Sequence, residues 1–440
     1  MSLRVIALFA GRVFRDRRVW VLPVTAFAVA SALTLAVTGG VHFFWTVPGE
    51  IGGLYKILSG VALALLVLPL GALAGAAARL LARRRDERLS SLRLLGASGA
   101  TLTALAVTEA TLLAAAGAVL GVLGWAALMP LIGLLPFAGG TIGLEGQWIG
   151  GLGVLAVLAG LTAVAAVSAL AGLRRVAITP LGVRTRQSAH GVRWVRLLVF
   201  GGLVVVGQLA VAVARGAGGI GMVIAAILIA VGVPLFALNF LGPWVLSVGA
   251  RMRLRRARTP ESLVAARTVL DAPRQAWQQV GALSVITYVG VMAGAGLSLG
   301  SVGTTASMSP EDLMVLQDLR TGVLVTLLIS FVLAACSVAL NQSAQVVDRA
   351  DLHRGLVYAG MPVARVHAMR RRSVMLALGT VMGVSVVTAL ITGAPLVGAS
   401  LLFAPLSVLV VVVTLAAGVL LVRVGVDITG PALKRSVVTG

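Results

Sequence analysis

The chain has 440 residues, of which 59% are hydrophobic and 11% are charged, and its mean hydropathy is +1.04. This composition lies outside the range of ordinary soluble domains and excludes a typical water-soluble enzyme. A net charge of +22 is also typical of nucleic-acid-binding proteins. Here the basic residues flank apolar segments, which favours a membrane protein, so we expect no nucleic-acid partner.

Ten apolar stretches approach or exceed the roughly 20 residues that a helix needs to cross a bilayer. Each is predicted to be helical, because the backbone polar groups of such a segment find partners in lipid only within a helix. The predicted spans are Trp20–Thr38, Ile57–Ala78, Leu102–Met129, Trp148–Leu173, Leu197–Ala214, Ile220–Leu241, Val280–Leu299, Val323–Leu340, Val374–Ile391 and Leu401–Val422. The sequence therefore predicts an all-α polytopic membrane protein with about ten transmembrane helices.

The distribution of positive charge predicts the orientation. Of the 36 Lys and Arg residues, only Lys56, Arg215 and Arg320 fall in predicted external segments if the N-terminus is inside. This asymmetry follows the positive-inside rule and predicts that both termini are cytoplasmic. The basic segments then lie against an anionic leaflet, so membrane lipids are expected partners. Arginine outnumbers lysine 34 to 2, which is compatible with a bacterial protein, and we expect it in the cytoplasmic membrane.

The spans divide as four, two and four, and the outer groups contain a repeated feature. Gly96 follows the second span and Gly360 follows the eighth, 264 positions later (360 − 96). Six spans intervene, an even number, so the two halves are predicted to be parallel repeats. Small residues four apart, which let helices approach closely, follow in each half. These pairs are Gly117 with Gly121 and Gly379 with Gly383; the alternative for any single pair is ordinary helix packing.

Two amphipathic segments are predicted to lie on the cytoplasmic membrane surface as elbow helices. The first covers residues 1–19, and in the second Thr259 is a suitable N-cap before Pro260. Leu263, Ala266 and Leu270 recur on one side of that second helix. The predicted organisation is an N-terminal elbow (1–19), a four-helix unit (20–175), a two-helix connection (176–250), a linker with the second elbow (251–279), a second four-helix unit (280–425) and a cytoplasmic tail (426–440).

We expect no catalytic or cofactor site in this chain. A P-loop requires a lysine within its glycine-rich motif, and the sequence Lys-Ser or Lys-Thr occurs at neither Lys56 nor Lys434. The four histidines lie on different loops without metal-ligand spacing. One acid differs from the rest: Glu109 lies about two turns into the third span, where a charge is costly. Glu109 either pairs structurally with an arginine such as Arg79 or Arg93, or has a conformational or transport role.

Two short charged segments on the predicted cytoplasmic side are candidate contact sites for a soluble partner. Each would form a short helix between headgroups and cytoplasm; the alternative is a basic loop that only sets the topology. The first segment contributes Asp86, Glu87, Arg88, Arg93 and Gly96, and the second contributes Asp351, His353, Arg354 and Gly360.

The segment RRRDERLSSLRLLGAS at Arg83–Ser98, the span with Glu109, and Gly117–Gly124 together resemble the FtsX-like permease family of ABC transporters. The match is specific over Ile57–Leu173 and degenerate over Val323–Val422, where the arginine of the motif is missing. The resemblance implies two four-helix units and a separate ATPase chain, present in two copies, that binds ATP and Mg²⁺. Ten-span relatives of the bacitracin-resistance type carry a large external domain, whereas the corresponding segment here is only Gly300–Gly322.

The sequence and the resemblance together predict a permease subunit that couples ATP hydrolysis in its partner to export or extraction of an amphipathic peptide, lipid or drug. The charged segments would be the ATPase contacts. Two alternatives remain open at this point. One is an ion-coupled secondary transporter that uses Glu109, and the other is a non-transporting scaffold that passes ATPase movement to an external enzyme.

Overall fold

The computed structural model describes residues 17–83, 99–178, 220–300, 309–348 and 350–428, together with 201–202, 205 and 209. The first group of helices is α1 (Arg17–Thr46), α2 (Gly49–Arg83), α3 (Gly99–Gly133) and α4 (Gly150–Ile178). The second group is α5 (Ile220–Arg255), α6 (Pro260–Asp271), α7 (Pro273–Val280), α8 (Ala282–Gly300), α9 (Pro310–Asp348), α10 (Ala350–Tyr358), α11 (Val363–Thr392), α12 (Ala394–Phe403) and α13 (Pro405–Asp427).

The chain is a helical, multi-pass membrane protein, as its composition predicts. Within the described residues, 8 helices are long and apolar enough to cross a membrane. The number becomes 9 if α7 and α8, which meet at a bend of 48°, form one broken span. The predicted fifth span, Leu197–Ala214, falls outside the described residues except for positions 201–202, 205 and 209.

The helix of the sixth span continues past its predicted end. The sequence predicts Ile220–Leu241, whereas α5 runs from Ile220 to Arg255. The pair Gly242 and Pro243 is a typical helix-ending signal, but α5 continues through both residues. Proline is tolerated in membrane helices because neighbouring groups satisfy the carbonyl it leaves unpaired.

A predicted external loop is also partly helical. Glu311 and Asp312, expected in the loop before the eighth span, lie in the first turn of α9. The hydroxyl of Ser309 accepts a hydrogen bond from the Asp312 backbone N–H at 3.1 Å, and the Asp312 carboxylate accepts one from the Ser309 N–H at 3.3 Å. This reciprocal cap satisfies two N–H groups at the start of the helix, so the helix begins before the apolar residues do.

Contacts between Cα atoms divide the chain into two compact units. The first comprises Met1–Arg186 with Ala339–Asp348, and the second comprises Gln187–Val338 with Arg349–Gly440. Helix α5, assigned from the sequence to a separate connection, belongs to the second unit and packs on α6 and α11.

The core of the first unit lies where α1 packs along α3. Small side chains and one ring fill this contact, and the hydroxyl of Ser31 donates to the backbone oxygen of Ala118 at 2.9 Å. The buried residues of this core include Ala26, Phe27, Ala110, Leu113 and Ala114. Close van der Waals packing and this hydrogen bond hold the two helices together, because lipid supplies no hydrophobic driving force between them.

Between α3 and α4 lies a turn that contains two short strands and was predicted to be external. Two short strands, β1 (Pro136–Phe137) and β2 (Gly140–Thr141), pair antiparallel. The ring of Phe44 packs edge-on against Phe137 at 5.1 Å between centroids and stacks on Tyr55 at 5.7 Å. The side-chain amide of Gln147 is buried and donates to the backbone oxygens of Met129 and Gly143. These contacts fix the turn against the ends of α1, α2 and α3.

The second unit has a larger core built from α5, α6, α8, α9, α11 and α13. Its fully buried large side chains include Leu246, Leu283, Phe331 and Leu378. Helix α6 is part of this core because Ala266 and Val269 are buried in it.

A short helix, α6, forms where the second elbow is predicted, with Thr259 as its N-cap and Pro260 in its first turn. Its buried side overlaps the predicted one: Ala266 is buried and Leu270 packs against the core, and Ala265 and Val269 are also buried, whereas Leu263 is 47% exposed. Packing against two neighbouring helices selects this face, which hydrophobic spacing alone does not specify. The first predicted elbow, 1–19, lies outside the described residues except for the first residues of α1.

Candidate functional site

The short helix α10 contains the second predicted contact segment and ends in a well-formed cap. The Gly360 N–H donates to the Val357 oxygen at 2.9 Å, and the Met361 N–H donates to the Leu356 oxygen at 3.0 Å. This pair of bonds is the Schellman motif, which needs a left-handed residue just past the helix. Gly360 has φ = +89°, and glycine adopts that conformation without steric cost.

Helix α10 exposes apolar side chains. Leu352 is 57% exposed and Tyr358 is 80% exposed, while Arg354 is half-buried. Asp351 and His353 lie in the first turn of the same helix. A large exposed ring at the end of a helix is a typical anchor for a protein partner. The first predicted segment, with Asp86, Glu87, Arg88, Arg93 and Gly96, lies outside the described residues.

The beginning of α11, directly after α10, is tied to two other elements. Arg372 donates to the Thr259 hydroxyl at 2.8 Å and lies 3.2 Å from a carboxylate oxygen of Glu261, both at the start of α6. His367 and Arg371 lie 3.6 Å and 3.8 Å from the carboxylate of Asp427 at the end of α13. Each ion pair is partly exposed and contributes little to stability by itself, but together they connect α11 with α6 and α13.

The pKa of the Glu261 carboxyl is lowered, first by a hydrogen bond from its own backbone N–H and further by Thr259 and Arg372. The free N–H groups at a helix start favour a negative charge there. Glu261 therefore stays ionised as the partner of Arg372. These long-range pairs could not be read from the sequence, because nothing in it links Asp427 or Glu261 to the run Arg370–Arg372.

Glu109 lies on α3, half-buried, on the same side as the buried residues Ala106 and Ala110. The position 264 residues later is Ser373, which is also half-buried; its hydroxyl donates to the Arg370 oxygen at 2.7 Å. The acid is therefore present in one half of the chain and replaced by a hydroxyl in the other.

The first predicted small-residue pair packs closely against α1. A Cβ on Gly117 would lie 2.6 Å from both the Phe27 Cβ and the Val24 oxygen. A Cβ on Gly121 would overlap the Ser31 side chain and lie 2.6 Å from the Ala28 oxygen. Backbones approach this closely only where there is no side chain between them.

The second predicted pair behaves differently. Around Gly379 and Gly383, the place of a Cβ has no other atom within 4 Å. The position of this pair on α11 explains the difference. An offset of 264 relates Gly117 and Gly121 to Val381 and Ser385, both buried, whereas Gly379 is two positions away. Two residues rotate about 200° around an α-helix, which turns Gly379 and Gly383 to the opposite side.

Hydroxyl groups join the helices of the second unit at Ser385, which lies 264 positions after Gly121. The hydroxyls of Ser385 on α11 and Ser284 on α8 are hydrogen-bonded at 2.9 Å. Further along the same helices, the Tyr288 and Thr392 hydroxyls are hydrogen-bonded at 3.0 Å. These contacts were missed from the sequence; the signal available was the 264-residue offset applied to the glycine pair of α3.

Comparison of the chain with models of known protein families and with characterised proteins found no match. The resemblance to FtsX-like permeases therefore depends on the motif residues alone. Among the described residues, no group of three or more His, Cys, Asp or Glu side chains is placed to hold a metal ion.

Proposed function

We propose that the chain is the permease subunit of an ABC transporter in the bacterial cytoplasmic membrane, with both termini inside. A separate ATPase chain, in two copies, binds ATP and Mg²⁺ and docks on the two charged segments. Its movement drives export or extraction of an amphipathic peptide, lipid or drug. The proposal combines the sequence resemblance with the properties of α10.

The single observation that carries the proposal is the exposed, capped helix α10. Leu352 and Tyr358 are exposed on it, and by the positive-inside rule this helix faces the cytoplasm. Large apolar side chains that are exposed outside the apolar spans are readily explained by a partner that covers them. A docking helix also needs defined ends, and the cap at Gly360 supplies one of them.

The contacts of α11 support a coupling role. Movement of α10 acts on α11 across a four-residue turn, Ala359–Pro362. Arg372 then transmits it to α6, and His367 and Arg371 transmit it to α13. Displacement of α10 would thus be transmitted through α11 to two other helices of the second unit, α6 and α13.

The test is stimulated ATP hydrolysis in the purified complex of permease and ATPase. We expect the combined charge reversal Glu87→Arg and Arg88→Glu to abolish stimulation without affecting membrane insertion. Tyr358→Ala should lower stimulation at least fivefold, since loss of a central aromatic anchor typically costs about 1 kcal/mol or more. A matched control is Glu145→Arg, an exposed change in the external turn. Unchanged stimulation in both test variants would refute the ATPase contact.

A second candidate function is an ion-coupled carrier with Glu109 as the coupling site. Its support is a half-buried acid within an apolar helix, and such acids often mark ion or proton paths. Under this hypothesis, transport continues without any ATPase and is lost in Glu109→Gln. Under the ABC hypothesis, reconstituted permease alone transports nothing.

A further inference from the structure

An open groove runs along α5 in the second unit, between this helix and α11. Its α5 wall extends from Leu238 to Met252 and includes Val245 and Val248; Thr380 and Val384 line the other side. At its base, a Cβ on Gly249 would overlap the Thr380 side chain, so this side chain packs directly on the α5 backbone there. Almost all of the lining is hydrocarbon, which suits an apolar chain.

The groove is long enough for a lipid tail. Leu238 and Met252 are separated by 14 residues (252 − 238), or about 21 Å along an α-helix. One leaflet contributes only about 15 Å of hydrocarbon to the membrane core. An acyl chain lying against α5 could therefore be accommodated along its full length.

Basic residues follow at the cytoplasmic end of this groove. Leu238, Leu241, Val245, Val248 and Met252 recur every three or four residues, which places them on one face of α5. The next position in that series is Arg255, the last residue of α5, and Arg256 follows in the turn after it; both are exposed. Toward the end of α5, the same face thus changes from hydrocarbon to guanidinium.

We propose that this groove binds one anionic phospholipid of the cytoplasmic leaflet. Its acyl chain lies along α5 from Met252 to Leu238, and its phosphate lies between Arg255 and Arg256. Guanidinium groups bind phosphate through paired, charge-assisted hydrogen bonds. Charge complementarity with the anionic leaflet favours a lipid over another apolar occupant. The site is separate from α10 and does not require an ATPase.

The test is lipid retention by the full chain, measured by native mass spectrometry after reconstitution in phosphatidylcholine vesicles with or without phosphatidylglycerol. We expect wild-type protein to retain phosphatidylglycerol preferentially. Arg255→Gln with Arg256→Gln should reduce that preference about thirtyfold, because each basic side chain at an anionic surface contributes about fivefold. Val248→Phe, which fills the groove, should reduce retention of both lipids.

The matched control is Arg267→Gln with Arg274→Gln, two exposed arginines on α6 and α7, which should retain phosphatidylglycerol as the wild type does. An equal loss of phosphatidylglycerol retention in this control would mean that diffuse surface charge binds the lipid, and it would overturn the proposal. Unchanged phosphatidylglycerol retention in the Arg255 and Arg256 variant would also overturn the proposal. The same holds if that variant keeps the lipid and loses only the binding of an acidic protein. A photo-crosslinker at Val248 that reacts with another segment of the chain, rather than with lipid, would show that protein fills the groove.

Discussion

At the scale of single residues, four glycines with the same sequence pattern have opposite environments. Gly117 and Gly121 lie against the α1 backbone, while Gly379 and Gly383 face open space. A small-xxx-small pattern indicates that close approach is possible on that face. It does not specify which face of the helix packs against a neighbour. The pattern therefore predicts close packing for both pairs, although only the first pair shows it.

Substitution of one glycine from each pair tests this difference. We expect Gly121→Ala to destabilise the protein by about 1–3 kcal/mol, because the added methyl overlaps Ser31 and forces α1 and α3 apart. Gly383→Ala should be neutral or stabilising by up to about 1 kcal/mol, since alanine is the better helix former. Thermal unfolding in detergent measures both. Equal destabilisation by the two changes would contradict the packing described for α1 and α3.

At the scale of the element, the stability of α10 depends on its ends more than on its interior. A helix of 9 residues is too short to be stable alone in water. Its C-terminal cap at Gly360 and its continuation into α11 therefore determine whether the proposed docking surface is formed.

Alanine substitutions at Gly360 and Gly355 give a matched comparison of how the cap and the interior affect the stability of α10. Gly360→Ala places a side chain at φ = +89°, which costs about 1–2 kcal/mol, so amide exchange over α10 should accelerate at least fivefold. Gly355→Ala lies inside the helix, with open space around its Cβ position, and should slow that exchange. Hydrogen exchange followed by mass spectrometry measures both variants. Faster exchange in Gly355→Ala would show that α10 is not the helix described.

At the scale of the whole molecule, hydropathy alone predicts the class and most of the spans. The long apolar runs can only be helices in lipid, so composition is sufficient there. Hydropathy does not predict the bounds of α5 or the helical start of α9. In α5, neighbouring groups allow the chain to continue through Pro243; in α9, a local cap at Ser309 begins the helix.

The candidate site was only partly predictable, for a related reason. Gly360 and α10 are local features, and a charged segment ending in glycine indicates them directly. The contacts of Arg371 with Asp427 and of Arg372 with Glu261 join residues that are distant in sequence. A single sequence carries no signal for such pairs until the helices are packed.

Orientation is the prediction that belongs to the whole molecule. In a Cys336→Ser background, Tyr358→Cys and Glu145→Cys place single thiols at two exposed positions. With both termini cytoplasmic, a membrane-impermeant maleimide added to intact cells should label Glu145→Cys and leave Tyr358→Cys unlabelled. Permeabilised cells should show labelling of both. Labelling of Tyr358→Cys in intact cells would reverse the assigned topology.

The bend of 48° between α7 and α8 has a consequence for the thickness of the surrounding membrane. It leaves α8 with 19 residues, or about 28 Å of length, against roughly 30 Å of hydrocarbon. The span in α3, with 31 residues, can match a thicker membrane by reducing its tilt. Within the described residues, α8 gains length only by bringing α7 into line, so a thicker bilayer would straighten the bend. Hydrophobic mismatch would therefore act first at Gly281, the residue between α7 and α8.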